Sequence, residues 1–416
     1  MKKIAFLLIL TTFTHYIHAQ SFKVIGYLPD YRWSNLNNID FSKTTHVLAA
    51  FGNPDSSGTL SFAQDIDLFA SKVHAGGAKA MLSLAGGGDY SWGYAYHTYE
   101  YLLETANRTP FVHKIMNYTR LHQLDGIDLD LEGSALQLTN YNVFAQELAD
   151  SLHLAGLIIG ASYSSAGAWP TYVSGTTVSK LDFMTAQSYG GVGDWNWNAP
   201  SDQAPFTLFQ SDITFWKSRG FNKGQLMGGL PFYAVEFPPA AQSAYWPYEP
   251  TTCSIYNGSQ FASQHPLQND LVYAANGDPV YNNSMKTYQK KVNYAVANAG
   301  GIMIWELGGD CYDGSMNILD SLNSYIANAI LSVKDKQPPV ESLKFYPNPA
   351  NTFIKMDGLM SANKSYSIKD IFGREIQNAS LSDSFIDVSK LDPGMYYISI
   401  TEENNSFVPV PLMIQR

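Results

Sequence analysis

Cysteine is nearly absent from this chain of 416 residues: Cys253 and Cys311 are the only two. That excludes a disulfide framework and a thiol-rich metal centre. An oxidising compartment would permit one bridge between them, but spacing alone leaves open whether they meet. Basic residues are also in the minority, 26 Lys and Arg against 36 Asp and Glu, for a formal charge of −10. No basic run or Arg-rich face offsets this, so phosphate-backbone binding lacks its electrostatic drive and nucleic acid is not expected as a partner. Long apolar runs are missing too, since no segment reaches the ~20 apolar residues that a membrane-spanning helix needs.

What the N-terminus does hold is "MKKIAFLLILTTFTHYIHAQ", with two Lys, an apolar run from Ile4 to Leu10 and the small Ala19 before Gln20. The pattern reads as a signal peptide over residues 1–19, cleaved after Ala19. The mature protein is expected to be exported, soluble and monomeric. Aromatic residues are plentiful, with 27 Tyr, 22 Phe and 8 Trp. They suit a large core or a groove for sugar rings, and core packing accounts for most of them.

Short apolar runs rich in β-branched residues recur: "FKVIGYL", "THVLAAF", "KAMLSL", "DGIDLDL", "GLIIGAS", "DFMTAQ", "QLMGGL" and "GIMIWEL", beginning at Phe22, Thr45, Lys79, Asp125, Gly156, Asp182, Gln225 and Gly301. Stretches with helical periodicity lie between most of them, such as "FVHKIMNYTRLHQL", "YNVFAQELADSLHLA" and "MKTYQKKVNYAVANA". Strands alternating with helices imply a parallel sheet, and eight units closing on themselves make an α/β fold of the (β/α)8 TIM-barrel type over residues 20–333. The polar "KDKQPPVES" then opens a linker over residues 334–341, and residues 342–416 alternate in short runs split by Gly, Pro and Asp. That tail is expected to be a small antiparallel β-sandwich.

One stretch carries chemistry. In "LDGIDLDLEG", Leu124–Gly133, a strand would turn Ile127, Leu129 and Leu131 to one face and Asp128, Asp130 and Glu132 to the other. The outer face of a parallel barrel packs on helices, so the carboxylates line the inside near the C-terminal mouth, where barrel enzymes keep their chemistry. Carboxylates spaced ~7 Å apart along one strand face repel, so at least one should hold a proton near neutral pH, as a general acid does. A solvated acidic strand would not need the alternating Ile and Leu. A calcium loop matches Asp128, Asp130, Glu132 and Gly133 but fails at its twelfth place, which is Thr139, and lacks the helix before it. No metal and no organic cofactor is implied.

"DGIDLDLE" resembles the D-G-x-D-x-D-x-E signature of glycoside hydrolase family 18, the chitinases and their relatives. "VIGYLPDY", "THVLAAF", "AMLSLAGG", "LMGGLPFYA" and "GGIMIWELGGD" agree in order with that family's first, second, third, seventh and eighth strands. The resemblance implies that Glu132 is the proton donor, that Asp130 orients the substrate's N-acetyl group and that Asp128 shares a proton with Asp130. It implies substrate-assisted catalysis, in which the sugar's own acetamido oxygen attacks the anomeric carbon through an oxazolinium intermediate with net retention, outside the usual two-carboxylate scheme. Tyr189 of "TAQSYGG" aligns with the tyrosine that steadies the acetamido oxygen, and Trp305 with the platform beneath the distorted sugar. Tyr27 and Phe51 take the aromatic positions that wall the same subsite. Gln187 and Asp125, the first acid of the signature, complete the expected substrate-binding set.

The chain departs from the family pattern in places. Many chitinases read M-x-Y-D on the sixth strand, where this chain has Gln187, Ser188, Tyr189 and Gly190, so an acid is missing after the tyrosine. Ala85 replaces the first Gly of the third-strand motif. The interval from Tyr233 to Gly301 leaves room for only a small insertion, which points to an open groove and endo-acting cleavage, with Trp195, Trp197 and Trp246 as candidates for outer subsites.

The tail segments "YPNPANTF", "IKDIFGREI" and "IDVSKLDPGMYYISI" resemble the type A sorting domain of the type IX secretion system, which implies that machinery as a partner and a secreted or surface-attached destination. A carbohydrate-binding sandwich is the rival reading, disfavoured because the tail has no Trp. The expected function is hydrolysis of β-1,4 bonds in N-acetylglucosamine polymers such as chitin. The alternatives are an endo-β-N-acetylglucosaminidase acting on the chitobiose core of N-glycans and a non-catalytic lectin on the same barrel, the latter opposed by the presence of Glu132.

Overall fold

The computed structural model describes residues 22–85, 94–190, 200–237, 249–312, 316–336, 344–357, 364–371, 373–381, 385–402, 405–406 and 410–416. The expected signal peptide, Trp195, Trp197, Trp246 and the linker from Gln337 onward lie outside these residues. The chain divides into two compact units, one ending at Ile330 and the other beginning at Leu331.

The first unit is built on the eight strands expected from the apolar runs: β1 (Lys23–Pro29), β2 (His46–Pro54), β3 (Lys79–Ala85), β4 (Gly126–Asp130), β5 (Ile158–Tyr163), β6 (Phe183–Ala186), β7 (Leu226–Pro231) and β8 (Gly301–Trp305). Each pairs in parallel with its neighbours, and β1 pairs with both β8 and β2, so the sheet closes on itself. Closure leaves no parallel strand with an unpaired edge. Helices α1 (Ile66–Ala75), α2 (Thr105–Leu121), α3 (Tyr141–Leu154), α4 (Gly175–Lys180), α5 (Phe206–Ser218), α6 (Met285–Asn298) and α7 (Ile318–Lys336) follow successive strands from β2 onward.

Period-two alternation divides the apolar residues between two cores. Val24, Leu82, Ile127, Leu129, Ile302 and Ile304 pack outward with the helices. Ile25, Tyr27, Leu48, Met81, Phe183, Met227 and Met303 fill the barrel interior. The inward positions of β4 carry Asp128 and Asp130 where an apolar layer would otherwise continue, and both are buried. Between β7 and β8 a three-stranded antiparallel sheet forms from Val235–Glu236, Leu271–Tyr273 and Pro279–Tyr281. Cys253 and Cys311 are bonded, with 4.9 Å between their Cα atoms, which settles the pairing that spacing left open.

The barrel boundary differs from its expected place. Helix α7 continues through Lys334 and Asp335 to Lys336, positions read as linker, because the residues that bar a helix are Pro338 and Pro339 rather than the charged ones before them.

The second unit consists of two antiparallel sheets over one core. Strands β9 (Lys344–Tyr346), β10 (Phe353–Asp357) and β13 (Phe385–Asp387) form one; β11 (Lys364–Asp370), β12 (Glu375–Leu381), β14 (Gly394–Glu402) and β15 (Val410–Ile414) form the other. Phe345, Ile354 and Ile386 from the first sheet meet Ile368, Ile398, Ile400 and Leu412 from the second. Facing apolar layers of this kind are what a small sandwich needs to fold.

Candidate active site

The site is assembled at the C-terminal ends of the barrel strands. Asp128 sits deepest, fully buried on β4. Its Oδ2 accepts from Ser83 Oγ at 2.7 Å and from Tyr27 Oη at 2.8 Å, while Oδ1 is buried with no partner among the described residues. Burial pushes Asp128 up to about 6, against the opposing pull of the Ser83 and Tyr27 donors. An orphaned carboxylate oxygen in a dry site costs least when it carries a proton.

Asp130, 3 % exposed, ends β4. Burial drives its pKa well above the ordinary carboxylate range, and the charges of Glu132 and Asp128 push the same way. Glu132 lies past the last strand residue, at the start of the turn over Gly133–Gln137, and is only half-buried. Its pKa is raised by burial and held back by hydrogen bonds with Gln187 and Asp130. Asp130 and Glu132 share a hydrogen bond, closer than a straight strand's ~7 Å repeat suggests, because the longer glutamate side chain folds back beyond the strand end. Two carboxyl groups in such contact titrate as a pair that retains a proton.

Gln187, one residue beyond β6, joins the acids. Its Nε2 lies 2.6 Å from Glu132 Oε1, 3.2 Å from Asp130 Oδ1 and 3.2 Å from Ser162 Oγ. Tyr189 is half-buried, and among the described residues its Oη meets only Met303 Sδ, at 3.8 Å. A thioether is a weak acceptor, so the phenol keeps its donor capacity for another group. Trp305 ends β8 and stacks on Phe51, with centroids 5.7 Å apart and planes at 19°.

Two of the expected substrate contacts stand elsewhere. Tyr27 is 1 % exposed, beneath Trp305 with 5.5 Å between ring centroids, so it supports Asp128 and the platform rather than forming an open wall. Asp125 precedes β4 and therefore lies at the opposite end of the barrel, ~16 Å of strand away from the mouth. Its carboxylate accepts from His74 Nε2 at 2.7 Å, Ala80 N at 2.8 Å and Lys79 Nζ at 2.9 Å. Burial would raise its pKa, but these three donors together hold it below the ordinary value. It is a structural anchor between β3 and β4 and does not reach the substrate side.

Residues 23–310 match the family model for glycosyl hydrolases family 18, over more than two thirds of the chain. The chain belongs to that family. Residues 344–414 match the secretion system C-terminal sorting domain, in agreement with the sandwich of the second unit. A relative, putative chitinase 1 of Margaritifera margaritifera, is 23 % identical over 346 residues, covering 70 % of this chain and 72 % of the relative. Among solved structures, the chitinase ChiB from the chitin utilization locus of Flavobacterium johnsoniae superposes with a TM-score of 0.67 at 28 % identity, covering 74 % of this chain and 94 % of that one. A chitinase-like agglutinin from Robinia pseudoacacia shares the fold, with a TM-score of 0.61 at 17 % identity, covering 73 % of this chain and 99 % of that one. This family 18 barrel is a glycoside hydrolase.

Several residues of the family 18 site escaped sequence reasoning: Ser83, Ser162, Thr185 and Met303. All four occupy inward positions on strands flanking the acids or the platform. Period-two alternation would have found Ser83 and Ser162, since a Ser among inward apolar residues beside a buried Asp is a donor waiting for a carboxylate.

Proposed function

We propose that this barrel hydrolyses β-1,4 bonds on the reducing side of N-acetylglucosamine, in chitin and chitooligosaccharides, by substrate-assisted catalysis. The observation that carries the reading is the graded line of acids: Asp128 at 0 % exposure, Asp130 at 3 % and Glu132 half-buried at the mouth. Such a line stays together only by sharing protons, and its outermost member is the one that can hand a proton to a substrate.

In the first step Glu132 protonates the glycosidic oxygen as its bond to C1 breaks. The acetamido carbonyl oxygen of the same sugar forms the new bond to C1, and the resulting oxazolinium cation is balanced by the carboxylate of Asp130. Tyr189 Oη donates to the acetamido oxygen, and Trp305, braced by Phe51, carries the apolar face of the ring. In the second step water adds to C1 from the face vacated by the leaving group, gives its proton to Glu132 and releases the acetamido oxygen. The anomeric configuration is retained. An internal nucleophile held near C1 gains the large effective molarity of intramolecular reactions.

The short insertion between β7 and β8, with its three-stranded sheet, supports an open groove and endo-acting cleavage. The sorting-domain match supports export through the type IX route, followed by release or attachment at the surface. The test is product mass spectrometry after incubation with colloidal chitin and, in parallel, with a high-mannose glycoprotein. Glu132→Gln serves as the control, expected to bind chitooligosaccharide yet to lose turnover by about 10²–10⁴-fold. Oligomers from chitin alone support the proposal; glycans released with one N-acetylglucosamine at the reducing end would replace it with the N-glycan enzyme, and sugar binding without products would replace it with a lectin.

A further inference from the structure

Apart from the acids lies a buried lysine that the proposed chemistry does not use. Lys291, on α6, is 0 % exposed. Its Nζ donates to Ala204 O at 2.7 Å and to Asn283 Oδ1 at 2.6 Å, and lies 5.6 Å from the centroid of the Phe209 ring. Asn283 Nδ2 donates to the same Ala204 carbonyl at 3.1 Å. The charged groups that act on this amine are Asp202, Asp270 and Asp212. Burial lowers its pKa to about 7 in spite of them, so an amine stands where an apolar side chain would be cheaper to bury.

The segment it holds reaches the active site in one further link. Gln203, beside Ala204, is 1 % exposed, and its Oε1 accepts from Gly190 N at 2.9 Å. Its Nε2 is buried without a partner among the described residues. The acceptor end of Gln203 is the one in use here, and the group it fixes is the backbone next to Tyr189. Gly190 has φ +67°, in the left-handed region that favours glycine. On the other side, a side chain at Gly229 of β7 would collide with Ala186 O, Ser188 N and the Tyr189 ring. Tyr189 thus leaves the sheet just after the Gln187 N to Tyr163 O bond of 3.0 Å, with Ala186, Ser188 and its own ring against Gly229 of β7 and the following Gly190 N–H held by Gln203.

We propose that Gln203, held in place by Lys291, is a positioning residue that sets the height of the Tyr189 hydroxyl over the cleavage subsite. It takes over, through the backbone of Gly190, a task that a side chain at that position cannot perform. This rests on the proposed role of Tyr189 toward the acetamido oxygen. Neither Gln203 nor Lys291 touches substrate; both act through Tyr189.

The test compares kcat and KM on N-acetylchitopentaose for Gln203→Met, Gln203→Glu and Lys291→Met, each in the parent and in a Tyr189→Phe background. Gln203→Met removes the acceptor and should lower kcat by about tenfold or more with KM within about threefold, whereas Gln203→Glu keeps an acceptor for Gly190 N and should retain most of kcat. In Tyr189→Phe, the same Gln203→Met change should cost less than about twofold, because the hydroxyl it positions is gone. Lys291→Met should follow Gln203→Met if it folds, and the Gln203 pair decides the matter if it does not. An equal loss in both backgrounds would show general structural damage and sink the positioning role alone. A Tyr189→Phe enzyme with undiminished kcat would sink both that role and the part of Tyr189 in the proposed reaction.

Discussion

Gln187 donates from Nε2 to Glu132 Oε1 across 2.6 Å, and this bond stabilises the ionised form of the residue proposed as the acid. Removing the donor raises the pKa of Glu132. A Gln187→Leu enzyme should therefore keep its acid protonated to higher pH, so the alkaline limb of kcat/KM shifts upward, while kcat itself falls by about tenfold from the loss of alignment. A pH–rate profile checks this. A limb that stays in place would mean that another group controls it.

Asp128 offers a stability measurement independent of activity. Its pKa is about 6 in the fold against an ordinary 3.8. Well below pH 3.8 it is protonated in both states. As pH rises from there, the unfolded chain ionises first, and stability falls until the folded group ionises too, near pH 6. The loss amounts to at most about 3 kcal/mol. Asp128→Asn should flatten this part of the Tm-against-pH curve and melt higher than the parent at pH 7, with activity impaired. A variant whose Tm follows the parent's at every pH would contradict the burial argument.

Asp125 should behave in the opposite way. Asp125→Asn loses the charge that pairs with His74 and Lys79, at a cost of about 1 kcal/mol at this partly exposed site. Its kcat and KM should match the parent's, since the residue lies at the far end of the barrel. Altered KM for chitooligosaccharide would restore it to the substrate-binding set.

Deletion of residues 338–416 should block delivery of the protein outside the cell while sparing the activity of the purified barrel. Fractionation and immunoblotting test the first part, and turnover of a soluble oligosaccharide the second. Loss of chitin binding with export intact would favour a carbohydrate-binding tail.

Much of the site was legible because alternation forces it. Once "DGIDLDL" is a parallel barrel strand, Ile127 and Leu129 must face helices and Asp128 and Asp130 must face inward. Alternation put Glu132 on the face of the other two acids but could not set its contact with Asp130, since Glu132 stands past the strand end and that contact depends on how the next turn folds. Tyr27 was misjudged for a similar reason: period two puts it inside the barrel, but depth along the barrel axis decides between wall and support, and depth follows from the relative shift of neighbouring strands.

The sequence by itself determined the eight strands, the closed sheet, the acidic line and the break into two units, because each follows from local period, breakers and the demand that apolar faces be covered. Only the tertiary structure decided that Cys253 meets Cys311, that Asp125 anchors β3 to β4, and that Lys291 holds Ala204 while the adjoining Gln203 accepts from Gly190 N. These are contacts between residues distant in the chain, set by the packing of side chains from different βα units, and no local pattern specifies them.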